Sequence, residues 1–223
     1  MHGHGGLRHV RRYSIKVNAM GMTLDRFGRL AVLSVLLTSG LTGCSGIVFS
    51  GIVFIPDDAL ESVIRAELGK PLSLFLTRAD LAEVTNLDAS AYNIQELEGL
   101  QYCTNLRKIN LSDNGVRRID VLAGLTKLTY LNLANNHIAD IEALSGLLFL
   151  EYLNLAGPNN AVVDWGYLQD NVTNGGLGAG AVVVVPDAYT LDSEGDPLPG
   201  FAGAYNAMLD AGVIVEFATD VAE

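Results

Sequence analysis

Along the middle of the chain the apolar positions recur every 22 residues. Leu106, Ile109, Leu111, Val116, Ile119, Leu122 and Leu125, with Asn114 among them, return as Leu128, Leu131, Leu133, Ile138, Ile141, Leu144 and Leu147, with Asn136 among them. One period earlier the series reads Val84, Leu87, Ala89, Ile94, Leu97, Leu100 and Cys103, with Tyr92 in place of the asparagine. A fourth copy starts at Leu150, Leu153 and Leu155. It stays in phase through Asn160, Val162, Trp165 and Leu168 if two residues are inserted around Pro158-Asn159. Self-similarity at such a period marks a stacked-repeat architecture. Alternation inside each copy, Ile109 with Leu111 and Leu131 with Leu133, predicts a short strand with two inward side chains. Copies in phase predict that these strands stack into one parallel sheet. A buried asparagine amide after each strand can satisfy backbone groups that would otherwise cost about 1–3 kcal/mol each.

The flanks carry other signals. Pro56-Asp57-Asp58 sets a proline and two acids at the start of a helix, where both are favoured. Leu60, Val63, Ile64 and Leu68 then share one helical face, and Gly69 with Pro71 ends it. Thr77-Arg78-Ala79-Asp80 has the form of a capping box opening a second short helix. Beyond the repeats, Gly175 to Gly180 reads as a flexible loop and Ala181 to Val185 as a strand. A Pro/Gly-rich stretch from Pro186 to Gly200 leads to a short helix around Ala204 to Asp210, and Val213 to Phe217 reads as a last strand. A repeat stack exposes an apolar edge at each end, so it needs such caps.

The copies resemble the L-x-x-L-x-L-x-x-N-x-L signature of leucine-rich repeats. With Ile138-Ala139-Asp140-Ile141 standing where that family has Ile-x-Asp-Ile, they are similar to the 22-residue repeats of internalins and related bacterial surface proteins. The resemblance covers roughly residues 53–217. It implies an α/β fold: a short leucine-rich-repeat solenoid with a curved parallel sheet, a helical N-terminal cap and an irregular C-terminal cap. It also implies that partners meet the concave face of the sheet. One row of side chains there reads Asn86, Lys108, Tyr130, Tyr152, the next Asp88, Asn110, Asn132, Asn154, and a third Ser90, Ser112, Ala134, Ala156. Two tyrosines beside small alanines make a flat amphipathic patch ringed by amides. Tyrosine is enriched at binding hot spots, and it also simply favours strands. Lys108, Asn110, Tyr130, Asn132, Tyr152 and Asn154 are therefore the candidate contact residues. A protein ligand is the first expectation. A glycan or peptidoglycan is the second, since tyrosine faces flanked by asparagine also suit sugars.

The N-terminus carries a targeting pattern. Arg26 and Arg29 precede an uncharged apolar run from Leu30 to Leu41, the basic-then-apolar order of a secretory signal. The run ends in Leu41-Thr42-Gly43-Cys44, which resembles the bacterial lipobox. That resemblance implies cleavage before Cys44, its diacylation, and a mature protein held on the outer face of a membrane. Ser45 in place of Asp implies the outer membrane in enteric-type bacteria. No charge occurs from Leu30 to Pro56, so a transmembrane anchor is the competing expectation. Residues 1–19 match no targeting segment, and a start at Met20 or Met22 gives a signal of ordinary length, so His2, His4 and His9 are not read as a metal site. The expected organisation is a signal peptide over 1–43, a lipid-anchored linker over 44–55, a helical cap over 56–83, repeats over 84–170, and an irregular last repeat with C-terminal cap over 171–223.

Charge then narrows the partner. From Cys44 onward eight basic residues stand against 24 acidic ones, and after Lys127 there are 13 acids and no lysine or arginine. Such a surface repels phosphate backbones and disfavours nucleic acid. A protein with a cationic face, or a divalent cation, suits it better. Cys103 holds a core position equivalent to Leu125 and Leu147, where it acts as a small hydrophobe. His137 and Asp140 lie three apart, but no nucleophile or oxyanion donor set accompanies them. Asp192-Ser193-Glu194-Gly195-Asp196 has the spacing of half a calcium loop, yet Pro197 stands where that loop needs glycine, so an acidic turn is expected. The Gly175–Gly180 run lacks Lys, Ser or Thr in phosphate-binding order. No catalytic residue, cofactor or metal ligand is expected.

Overall fold

The computed structural model describes residues 15–17, 22–24, 51–72 and 74–218. The chain divides into two units, Met1–Ser50 and Gly51–Glu223. In the first, β1 (Ile15–Val17) pairs antiparallel with β2 (Met22–Leu24). The expected signal run from Leu30 and its Cys44 lie outside the described residues. Among the described residues no helix is long and apolar enough to cross a membrane.

The second unit opens with its cap. β3 (Ile52–Val53) pairs antiparallel with β4 (Leu76–Thr77), and Val53, Ile55 and Leu76 are buried in the core. Residues 51–55, expected within a linker, are therefore part of the cap, because their apolar side chains find a packed interior. Helix α1 (Asp58–Glu67) buries Leu60, Val63 and Ile64, the face that the spacing predicts. Asp57 caps it: one carboxylate oxygen accepts the Ala59 and Leu60 N–H groups at 3.0 Å. The other oxygen accepts the Gln95 and Glu96 N–H groups at 2.8 and 3.2 Å, so a single side chain ties the cap to the first repeat. Helix α2 (Arg78–Leu81) starts with the expected capping box between Thr77 and Asp80. Burial pushes the Asp80 carboxyl upward, but Lys70 at 2.6 Å together with the Thr77 N–H and hydroxyl outweighs it and holds the pKa below the ordinary value.

Six strands then form one parallel sheet in chain order: β5 (Asn86–Asp88), β6 (Lys108–Asn110), β7 (Tyr130–Asn132), β8 (Tyr152–Asn154), β9 (Val182–Pro186) and β10 (Ile214–Ala218). The register Leu87–Ile109–Leu131–Leu153 is the 22-residue period itself. These four side chains point inward with Ala89, Leu111, Leu133 and Leu155. On the other side of the core, short 3-10 turns over Leu100–Tyr102, Asp120–Gly124 and Glu142–Leu144 return the chain and bury Leu100, Leu122 and Leu144. Helix α3 (Gly166–Thr173) takes that place in the fourth copy, where Val162, Trp165 and Leu168 are buried in the phase read from the sequence.

The asparagines form the expected ladder. Asn136 Nδ2 donates to the carbonyls of Leu111, Leu133 and Ala134 at 2.9–3.1 Å, and its Oδ1 accepts the Val116 N–H at 3.0 Å. Asn114 and Asn160 repeat the pattern one copy earlier and one later. Tyr92, at the ladder position of the first copy, is exposed.

The C-terminal region is more regular than its sequence suggests. β9 and β10 continue the parallel sheet, with Val183 opposite both Leu153 and Val215. Helix α4 (Pro199–Asp210) joins them and starts at Pro199, not near Ala204, since proline suits a first helical turn and Phe201 is buried there. The glycine run is not loose. Asn171 stands in phase with Leu125 and Leu147, is fully buried, and donates to the Leu144 and Leu147 carbonyls at 2.7 and 3.2 Å. Its oxygen accepts the N–H of buried Leu177, and a Cβ on Gly176 would lie 2.2 Å from that oxygen.

Candidate binding face

The face of the sheet turned away from the core carries all six residues that the repeat register nominates. Lys108, Tyr130 and Tyr152 are direct neighbours on β6, β7 and β8, and Asn110, Asn132 and Asn154 form the adjoining row. Lys108 is exposed and the other five are half-buried. In-register parallel strands lie about 4.7–4.9 Å apart, so identical side chains on neighbours meet face to face. The Tyr130 and Tyr152 rings accordingly stack with centroids 4.6 Å apart and planes 6° from parallel. Burial, then the neighbouring Tyr152 phenol and Asp88, pushes the Tyr130 hydroxyl pKa up against an opposing hydrogen bond with Asn132. Asn154 Nδ2 donates to the Tyr152 hydroxyl at 3.3 Å.

The asparagine row has a second occupation. Asn110, Asn132 and Asn154 each accept the backbone N–H two residues on, from Ser112, Ala134 and Ala156, at 2.9–3.2 Å. Asp88 does the same for Ser90. The amide oxygens thus close the turn out of each strand.

Sequence reasoning missed the far half of the face. Through the β8–β9–β10 register the tyrosine row continues as Val182 and Ile214, and the asparagine row as Val184 and Glu216. Ile214 is 51% exposed. The result is an apolar stripe, Tyr130–Tyr152–Val182–Ile214, with Lys108 at one end and Glu216 beside the other. The signal was present in Val182–Val185, but four valines in a row hide which side chains point outward.

The remaining candidates take structural parts. Cys103 is fully buried, and burial pushes its thiol up to about 12. Asp140 accepts the Glu142 N–H and sets the start of a 3-10 turn. Asp192 accepts the Glu194 and Asp196 N–H groups at 2.8 and 3.0 Å, which hold its carboxyl below the ordinary range and give the acidic segment the geometry of a turn. Glu142, followed by burial, Asp140, Asp164 and Asp170, raises the Tyr167 phenol, a mark of the acidic field over this half of the chain. Among the described residues no group of three His, Cys, Asp or Glu is placed to hold a metal ion.

Known proteins share this arrangement. Residues 83–138 match the family model described as Leucine rich repeat, and residues 126–169 match the one described as Leucine Rich repeats (2 copies). Internalin H of Listeria monocytogenes serovar 1/2a (strain ATCC BAA-679 / EGD-e) is 37% identical over 65 residues. The crystal structure of an internalin (inlF) from Listeria monocytogenes str. 4b F2365 superposes with a TM-score of 0.57 at 27% identity over 74% of this chain. Residues 83–169 are thus leucine-rich repeats, and their fold is similar to that of the internalins. A second internalin structure of that strain, internalin C2 (inlC2), has the same fold, with a TM-score of 0.57 at 22% identity over 78% of this chain and 73% of its own. The internalin-like segment is short relative to some of its relatives: the match spans 12% of internalin H and 43% of the inlF structure.

Proposed function

We propose that this internalin-like chain is an envelope-anchored adaptor, held on the outer face of a bacterial membrane through acylated Cys44, that captures another protein on the open face of its repeats. A leucine-rich-repeat module of this kind supplies a binding surface. The observation that carries the choice of face is the apolar stripe Tyr130–Tyr152–Val182–Ile214, presented on a sheet whose geometry the asparagine ladder fixes. A rigid stripe of large side chains with polar groups alongside is the composition of a protein hot spot. The stacking of Tyr130 on Tyr152 favours a protein over a glycan, because a sugar packs on a free ring face and the stack occupies one face of each ring. The acids that dominate the chain after Lys127 favour a partner with a cationic surface. Membrane anchoring rests on the lipobox-like Leu41-Thr42-Gly43-Cys44, with residues 1–43 acting as the signal.

The test is capture by the full chain on beads against envelope extract, alongside a glycan array, with wild type and the double variant Tyr130→Ala, Tyr152→Ala. Truncating a hot-spot aromatic typically costs about 2 kcal/mol or more of binding. The double variant is expected to lose the partner while its circular dichroism and melting stay near wild type. Capture is also expected to weaken as salt screens the acidic field. Retention by the double variant would move the site off the tyrosines, and binding on the array alone would make the ligand a sugar.

A further inference from the structure

The binding face leaves one surface of the molecule without a task. Beside the β3–β4 pair of the cap, Leu72 and Phe75 are each 64% exposed, Leu74 52% and Phe54 56%. The antiparallel pair Val53–Leu76 is followed directly by Phe54 on the first strand and preceded directly by Phe75 on the second. Scattered apolar residues are ordinary on a protein surface, but a group of four large ones in one place marks a contact with something apolar. No charged residue occurs from 71 to 77.

The segment is also held in place. The guanidinium of Arg65, a buried residue, donates from Nη1 to the carbonyls of Pro71 and Leu74 at 3.0 and 2.8 Å, and from Nε and Nη2 to Glu61 Oε1 at 2.9 and 2.7 Å. Burying an ion pair adds little net stability. What this pair does geometrically is fix the backbone from which Leu72, Leu74 and Phe75 project outward.

We infer that this apolar patch seats in the headgroup–acyl boundary of the membrane that carries Cys44, so that the cap rests on lipid and the repeats stack away from it. The inference rests on the anchor reading above. Seven residues lead from Cys44 to Gly51, a tether of about 25 Å at full extension. A tether that short keeps β3, which begins at Ile52, beside the bilayer throughout. The apolar patch of Phe54, Leu72, Leu74 and Phe75 carries no charge of its own, and aromatic side chains favour this depth. The patch would act on orientation: the acyl group holds the protein, and the patch sets which way the sheet faces.

The cysteines make this measurable. Cys103 is buried and Cys44 would carry the acyl group, so Leu74→Cys supplies the reactive thiol of the acylated full chain. The labelled position carries an environment-sensitive nitrobenzoxadiazole, and the chain is reconstituted in phosphatidylethanolamine–phosphatidylglycerol vesicles with and without doxyl-labelled lipid. Val163→Cys, at an 81% exposed position on the fourth repeat, is the control. The label at 74 is expected to shift to the blue and to be quenched several-fold more by doxyl lipid than the label at 163. Adding Leu72→Asp and Phe75→Asp, both at exposed positions, is expected to bring quenching at 74 down to the control level while the protein still floats with the vesicles. Equal quenching at 74 and 163, on a chain whose Cys44-dependent palmitate-analogue label is present, overturns the inference and leaves the anchor standing. Absence of that acyl label overturns the anchor and this inference with it. Shielding at 74 that follows protein density rather than doxyl lipid gives the face to a second copy, and also overturns it.

Discussion

Asn132 and Asn136 stand four residues apart in one repeat and use the same side chain differently. Asn136 is fully buried and makes four hydrogen bonds to the backbone of two repeats. Asn132 lies half-buried on the open face and accepts one, from Ala134. Asn136→Ala strands several buried groups and is expected to cost about 3 kcal/mol, Asn132→Ala about 1 kcal/mol. Denaturant melts read both, and equal losses would contradict the register. The ladder role was legible, because Asn114 and Asn136 recur at one phase after their strands and Asn160 follows once two inserted residues are allowed. The turn role of Asn132 was not, because an exposed position looks free until the backbone N–H two residues on is located. Backbone conformation supplies a second case. Ala91, Asp113, Asn135 and Gly157 share one turn position and all have positive φ, with Ala91 at 60°. Asp, Asn and Gly tolerate that region and alanine does not. Ala91→Gly is expected to stabilise the protein by about 0.5–1 kcal/mol, seen as a higher denaturant midpoint. A lower midpoint would mean that the first turn is not strained.

At the scale of elements, β5 to β8, α1 and the capping box of α2 could be read from the chain because each rests on a local rule: alternation, helical spacing, or a cap three residues from its partner. β3 was hidden, since Ile52–Val53 sits in a long apolar run that reads equally as linker or span. β9 and β10 were legible as strands, but their continuation of the parallel sheet was not, because Asn171 stands at a leucine position and the valine run of β9 shows no alternation. The capping box makes a pH prediction. The Asp80 carboxyl has its pKa lowered on folding from an ordinary 3.8, so its contribution is fully present above that value. It is lost as the pH falls through the lower folded value. Wild type is therefore expected to lose stability toward acid more steeply than Asp80→Asn, with the gap between them closing below about pH 4. Melts collected across pH 2–7 check this, and a gap that persists unchanged at the acid end would contradict the role given to the carboxylate.

The second unit is a stack in which each repeat rests on its neighbours, with the cap that Asp57 ties on at one end and β9, α4 and β10 continuing it at the other. Six contact residues were nominated from the repeat register together with the leucine-rich-repeat resemblance, and the structure brings them onto three adjacent strands. The stripe they begin could not be followed further in the sequence, because the 22-residue period stops after β8 while the sheet does not. Binding on that open face is the central claim. Its most direct test places a photo-crosslinking benzoylphenylalanine at Tyr152, or at Lys108, and, as a control, at Ala123, an exposed position on the 3-10 turn behind the core. Irradiation of intact cells is expected to join the Tyr152 and Lys108 positions to the same protein and to leave the Ala123 position unjoined. Crosslinks through Ala123 with none through Tyr152 or Lys108 would contradict the account.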